Sequence, residues 1–377
     1  MKKLASAMEK RSLTSKLAQI GNRSCQVTGA VNPPVYFSTA YSHNALGHST
    51  GYDYTRTKNP TRALLEATIA DLESGDRGFA TSSGMAAIQI VLSLFSSGDH
   101  LIVSSDLYGG TYRLLETTFK RWEILASYVD TSDLDQIKTA ITEKTKAIFV
   151  ETPTNPMMIE SDIAAIAKIA KMHDLLLIVD NTFYTPLLQR PIELGADVVI
   201  HSATKYLGGH NDILAGLIVT KQVELGEKID HIHNGAGAVL SPFDSWLLMR
   251  GMKTLALRLA QQERNAKKLV TYLTNHPFIT DVFYPQKGGM VAFRIKEASG
   301  VDLFLKSLSL ITFAESLGGT ESFITYPATQ THADIPEVIR LKTGICNRLL
   351  RFSVGIEDAD DLISDLEQAF EKAGGAQ

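Results

Sequence analysis

The chain has 377 residues, 44% hydrophobic and 21% charged, the make-up of a soluble globular protein long enough for two or three domains. Its 37 basic and 41 acidic residues leave a net charge of −4, which gives no electrostatic footprint for nucleic acid or an anionic membrane. The two cysteines, Cys25 and Cys346, are far apart and form no metal-spacing motif, as expected of a protein from a reducing compartment.

In chain order, MKKLASAMEKRSLTSKLAQIG is basic without a continuous apolar core, so it does not read as a signal peptide. No apolar run approaches a membrane span, and a cytoplasmic protein is expected. Residues 1–58 are rich in Gly, Pro, Ser and Asn yet carry many tyrosines, which predicts an ordered arm that packs on something else, a second subunit being a good candidate. Asn59 and Pro60 then suit the cap and first position of a helix, TRALLEATIADLES. GFATSS (strand), GMAAIQIVLSLFSS (helix), HLIVSS (strand), YRLLETTFKRW (helix) and ILASYV (strand) follow. SDLDQIKTAITEK (helix), TKAIFVE (strand), DIAAIAKIAKMH (helix), LLLIVD, DVVIHS and GLIVT (strands) complete a large domain over 59–240. The alternation predicts βαβ units and a mostly parallel sheet covered on both faces. Ser241-Pro242 opens a long helical stretch, FDSWLLMRGMKTLALRLAQQERNAKKLVTYLTN, which bridges into a smaller α+β domain within 241–377. That domain has strands near TDVFY, GMVAFRI and LLRFSVGI and a final amphipathic helix, DADDLISDLEQAFEKA.

Ligands of open α/β sheets sit at the carboxyl ends of the strands. After GFATSS, Gly84 and Met85 open a helix whose free amides suit a phosphate, although an ordinary βα turn reads the same way. No GxGxxG follows the first strand, GAGAVL at 235–240 lacks the third glycine, and no Walker A motif is present, which argues against nicotinamide and nucleoside triphosphate sites. Asp180 ends LLLIVD, either as a cap or metal ligand or as a carboxylate facing a cationic heterocycle. DVVIHS leads to Ser202-Ala203-Thr204-Lys205, so neighbouring strands bring an acid and an amine to one edge. Pyridoxal 5′-phosphate (PLP) accounts for the set: amides at Ser83, Gly84 and Met85 and hydroxyls of Ser202 and Thr204 for the phosphate, Asp180 for the ring nitrogen, and Lys205 for the aldehyde. Arg351, inside LLRFSVGI, is either a snorkelled edge residue or a bidentate carboxylate clamp. The ten histidines read as structural; His231-x-His233 lacks acidic or Cys partners nearby, and no metal is expected.

HSATKYLGGH, VDNTF, ETPTNP, LYGGTYRL and SSGMAAI closely resemble the Cys/Met-metabolism family of PLP enzymes, and the likeness runs from the arm to RLLRFSVGIE. The resemblance implies fold type I, like aspartate aminotransferase. Within the family, the chain is most similar to the short bacterial cystathionine γ-synthases that also act as O-acetylhomoserine thiolyases. It implies that Lys205 binds the cofactor aldehyde and later shuttles protons, that Asp180 pairs with the pyridinium nitrogen, and that Tyr108 stacks on the ring and assists proton transfer. Ser83, Gly84, Met85, Ser202 and Thr204 would hold the phosphate, joined by Tyr54 and Arg56 reaching across from a neighbouring subunit. Asn155 would lie near the cofactor and substrate, and Arg351, helped by Ser316, would bind the substrate α-carboxylate. The implied activity is replacement at the γ-carbon of an O-acylhomoserine by cysteine, giving L-cystathionine, or by sulfide, giving homocysteine, in a homotetramer of dimers with shared sites. The alternative is a cystathionine γ- or β-lyase. Glu315 resembles the branches that handle cystathionine or homoserine esters, and Gly110 stands where methionine γ-lyases carry a cysteine. Two departures are Asn211, in GHND where relatives read GHSD, and Gln330, where methionine is usual.

Overall fold

A computed structural model describes residues 11–374; the first ten residues of the expected arm and the last three of the chain lie outside it. Seven strands form a large sheet: β1 (Arg77–Thr81), β2 (His100–Ser104), β3 (Leu125–Val129), β4 (Thr145–Glu151), β5 (Leu176–Asp180), β6 (Val198–Ser202) and β7 (Gly216–Thr220). Their order is β1-β7-β6-β5-β4-β2-β3, with β7 antiparallel to both neighbours and the other pairs parallel. The expected parallel sheet is therefore mixed at one side: β7 follows β6 through residues 203–215, which form turns and no crossover helix, and it returns antiparallel.

The interior strands are apolar on both faces because both are covered. Val199, Leu217 and Val219 pack with Leu65 and Ile69 on one side, and Val198, Ile200 and Ile218 with Ile88 and Val91 on the other, the alternation that a period of two dictates. The helix Pro60–Glu73 starts where Asn59 accepts from the amides of Thr61 and Arg62, at 2.9 and 3.2 Å, and it stops at Ser74 in the left-handed region. The expected helix over YRLLETTFKRW is instead a short helix Gly109–Arg113, a wide π turn Leu114–Thr118 and a 3₁₀ turn Phe119–Trp122. There the Thr117 hydroxyl donates to the Arg113 carbonyl at 2.6 Å, competing with the regular ladder.

The bridging stretch is also divided, into helices Pro242–Met252 and Leu255–Asn275. At the break Gly251 lies against the Gly208 carbonyl, which a Cβ would meet at 2.2 Å, and Arg258 donates to the carbonyls of Gly251 and Tyr206 at 3.0 and 2.9 Å. Close approach of this helix to the YLGG turn therefore needs glycine at 251, and Arg258 packs against Gly209, where a Cβ would meet Nη1.

A second sheet has the order β10-β11-β12-β9-β8, from β8 (Ile279–Phe283), β9 (Met290–Ile295), β10 (Thr312–Phe313), β11 (Phe323–Thr325) and β12 (Leu349–Ser353). Leu269 and Leu273 of the second bridging helix and Leu366 and Phe370 of the last helix cover its core, around Phe293 and Phe352. The short strands β10 and β11 have no long hydrophobic pattern in sequence; β11 pairs with β12, and β10 with β11. Among the described residues no helix is long and apolar enough to cross a membrane. Both cysteines carry free thiols.

Candidate active site

The carboxyl ends of β1, β4, β5 and β6 open onto one cavity of about 350 Å³, and β12 of the small sheet closes it with Arg351. Its lining includes Ser83, Gly84, Met85, Tyr108, Asn155, Asp180, Ser202, Thr204, Lys205, Glu315, Ser316 and Arg351. Of the cofactor- and substrate-binding residues expected from sequence, Tyr54 and Arg56 are not brought to it. Both are exposed on the arm, where Arg56 donates to the Asn234 side chain at 2.8 Å and its guanidinium lies 5.7 Å from the Tyr54 ring.

Ser83 caps the helix Gly84–Leu92 by accepting from the Ala86 amide at 3.1 Å, and the amides of Gly84 and Met85 have no partner among the described residues. A Cβ on Gly84 would sit 2.7 Å from the Cβ of Ser202, so only glycine lets this helix end meet β6. The Ser202 hydroxyl is likewise without a hydrogen bond to any described residue, whereas the Thr204 hydroxyl donates to the Ala215 carbonyl at 3.2 Å. Asp180 Oδ1 accepts from the Thr182 hydroxyl and amide, at 2.6 and 3.0 Å.

Opposite Asp180 in register, β4 ends in Glu151, which the sequence reading missed although TKAIFVE ends in an acid just as LLLIVD does. Glu151 accepts from the Tyr108 amide at 2.9 Å. Burial, then the neighbouring Asp180, raises the proton affinity of Glu151 well above the usual carboxylate range. Burial raises that of Asp180 too, with the Thr182 bonds pulling it back.

Lys205 Nζ donates to Ser316 Oγ at 3.1 Å. Burial and the charge of Arg351 lower the lysine to about 8. Arg351 is only 1% exposed; Nη1 donates to Asn155 Oδ1 at 2.9 Å and Nη2 to the Ser316 carbonyl at 2.9 Å and the Thr325 hydroxyl at 3.0 Å, while Nε is buried without a partner among the described residues. An edge residue would snorkel outward; this one points into the cavity. Ser316 holds a positive φ of 112° while serving both cations, its hydroxyl toward Lys205 and its carbonyl toward Arg351. Behind Asn155, the buried His332 ring donates to the Asn155 carbonyl at 2.9 Å. Gly110 lies under Tyr108, whose ring a Cβ would meet at 2.5 Å.

Asn211 is accounted for. Its φ of 55° is one that asparagine tolerates, and its side chain donates to Glu321 at 2.7 Å. Gln330 accepts from the Tyr326 amide at 2.7 Å within a turn. His233 donates to the Ala80 carbonyl at 3.2 Å, a structural contact.

The donor set fits PLP. Buried Glu151 and half-buried Asp180, neither in an ion pair among the described residues, face a cavity that also holds unpartnered amides, an unpartnered hydroxyl and a lysine of lowered proton affinity; a protonated ring nitrogen, a phosphate and an aldehyde answer each in turn. The family model described as "Cys/Met metabolism PLP-dependent enzyme" matches residues 14–371. A cystathionine γ-synthase/O-acetylhomoserine (thiol)-lyase of Bacillus subtilis is 65% identical over 94% of this chain and 95% of its own. A cystathionine γ-synthase of Haemophilus influenzae is 62% identical over 94% and 96%. The crystal structure of a cystathionine γ-lyase from Lactobacillus plantarum in complex with L-serine superposes with a TM-score of 0.95, at 47% identity over 97% of this chain and 100% of that one. The chain belongs to the Cys/Met metabolism family of PLP-dependent enzymes, with fold type I architecture and pyridoxal 5′-phosphate as its cofactor.

Proposed function

We propose that the enzyme replaces the acyloxy group at the γ-carbon of an O-acylhomoserine with the thiol of cysteine, giving L-cystathionine and a free carboxylic acid, and that sulfide in place of cysteine gives homocysteine. The observation that carries this reading is the juxtaposition of the Lys205 amine and the Arg351 fork through Ser316, which sets a base beside a carboxylate clamp. The synthase names of the relatives at 65% and 62% identity support this branch.

PLP, when bound, supplies an aldehyde for amines and a sink for the electrons left by a departing proton. Arg351 then binds the substrate α-carboxylate, with Asn155 fixed beside it. Lys205 takes the α-proton, hands it on and takes a β-proton; the acyloxy group leaves as a carboxylate that accounts for the thiol's proton, the thiolate adds at the γ-carbon, and protons return through Lys205 to the β- and α-carbons. Asp180, with Glu151 beside it, holds the ring nitrogen; Ser83, Gly84, Met85, Ser202 and Thr204 hold the phosphate. Tyr108 would cover the ring, and Glu315, which lines the cavity, would bind the substrate. The arm would bring Tyr54 and Arg56 to the phosphate of a neighbouring subunit, in a cytoplasmic homotetramer built of such dimers. Exposed Val27, Phe37 and Leu46 on that arm support a covering partner.

Because only the neutral amine attacks an aldehyde, the rate of PLP capture by the cofactor-free protein should rise with pH and level off above about 8, where Lys205 has lost its proton. Stopped-flow absorbance checks this; a flat profile from pH 6 to 9, on the order of the range usual for such titrations, counts against the enclosed Lys205. The activity itself is tested by incubating the enzyme with O-acetyl- or O-succinylhomoserine and cysteine. Cystathionine should accumulate. If only 2-oxobutanoate and ammonia form, and added cystathionine is cleaved, the chain is a lyase.

A further inference from the structure

The motif NPTRALLE after the arm carries a buried cation and a carboxylate that the chemistry above does not use. Arg62 is 1% exposed, yet its guanidinium reaches back out of the helix Pro60–Glu73 into the arm. Nη1 donates to the Thr55 carbonyl at 2.9 Å and Nη2 to the Arg56 carbonyl at 3.0 Å. Glu66, one turn on, faces Nε at 3.4 Å and accepts from the Ala80 amide of β1 at 3.1 Å. Asn59 adds a second tie, donating to the Tyr36 carbonyl at 2.9 Å. The fork thus grips the two carbonyls on either side of the Arg56 backbone and anchors them to the central sheet.

We infer that Arg62, backed by Glu66, is a positioning residue that aims Tyr54 and Arg56 of one subunit at the cofactor phosphate of its neighbour. The inference rests on the reading that the arm serves the neighbouring site. Arg56 is exposed and reaches no part of its own cavity, so its guanidinium can serve a phosphate elsewhere only if its backbone is held. A planar fork that spans two consecutive carbonyls does this; an ammonium does not. Glu66 also offers a competing role within one chain, since Ala80 leads along β1 to Ser83 and the end of the phosphate-binding helix.

Mixed oligomers separate the two. PLP affinity is measured by fluorescence quenching for Arg56→Ala, Arg62→Met and Arg62→Lys, each verified as folded by circular dichroism, with Glu66→Gln added to Arg62→Met should the lone carboxyl unfold it. Arg62→Met and Arg62→Lys should both weaken PLP roughly 10- to 100-fold, as Arg56→Ala does. Arg62→Met is then co-expressed with Lys205→Ala under separate tags. In the hybrid, the site with Lys205 receives its arm from the Lys205→Ala subunit, so tight binding and the lysine-linked absorption band should return. A defect that persists in the hybrid places the effect within one chain and overturns the inference, as does Arg62→Met with unchanged affinity beside a weakened Arg56→Ala. Unchanged affinity in Arg56→Ala overturns the arm reading itself.

Discussion

Replacing Lys205 with alanine is expected to lower cystathionine formation by about 10³-fold or more while leaving the fold intact. The lysine sits on β6's outgoing turn and makes one hydrogen bond, to Ser316 Oγ at 3.1 Å, so its removal opens space and breaks little. Tyr108, Glu151 and Arg351, which face the same cavity, are poorly suited to take over its work. Burial raises the proton affinity of Tyr108, which therefore keeps its proton, and Glu151 is pushed in the same direction and spends its outer oxygen on the Tyr108 amide. Arg351, although lowered to about 10 by burial, remains a cation at neutral pH. Chromatographic quantification of cystathionine checks the loss, and disappearance of the lysine-linked absorption band on an otherwise PLP-binding protein assigns it to this side chain. Activity within tenfold of wild type would remove Lys205 from the reaction.

Replacing Arg351 is expected to be nearly as damaging. Leucine at this place leaves the Asn155 oxygen, the Ser316 carbonyl and the Thr325 hydroxyl without their donor and the substrate carboxylate without a counter-charge. Breaking a buried charge network of this kind costs about 3–5 kcal/mol, or roughly 10²- to 10³-fold in kcat/KM. Lysine should recover little, because an ammonium cannot satisfy Asn155 and Ser316 together while presenting a fork outward. Both kcat and KM should move, since Ser316 ties this arginine to Lys205. Steady-state kinetics of Arg351→Leu and Arg351→Lys check this; a Lys variant with near-normal kcat/KM would mean that charge alone matters there.

The large sheet was legible because its interior strands are short apolar runs, most of them followed by a turn and a helix, a pattern that local physics writes directly. The chemistry was legible where it sits at strand ends: Asp180, Ser202 and Lys205 were readable from the runs before them. Glu151 obeys the same rule, ending TKAIFVE as Asp180 ends LLLIVD. What local pattern could not carry was long-range. Nothing in AESLGG says that Ser316 will touch both Lys205 and Arg351, which lie 111 and 35 residues away in sequence. Nothing in LALRLAQQ says that Arg258 will reach the carbonyl of Tyr206 and split a helix. The antiparallel β7 and the short strands β10 and β11 depend on partners, and Arg351 read equally well as an edge residue until the cavity wall was in place.

Ser316 has a φ of 112°, a region that costs a residue with a side chain on the order of 1–3 kcal/mol. Glycine would relieve that strain at the price of a looser unfolded chain, for a net gain of about 1 kcal/mol in stability. The same change deletes the hydroxyl that holds the Lys205 amine. Ser316→Gly should therefore melt at a higher temperature and turn over more slowly, which calorimetry and kinetics on one preparation would read. At this position, selection for durability and selection for turnover pull in opposite directions, and the serine marks which of them prevailed.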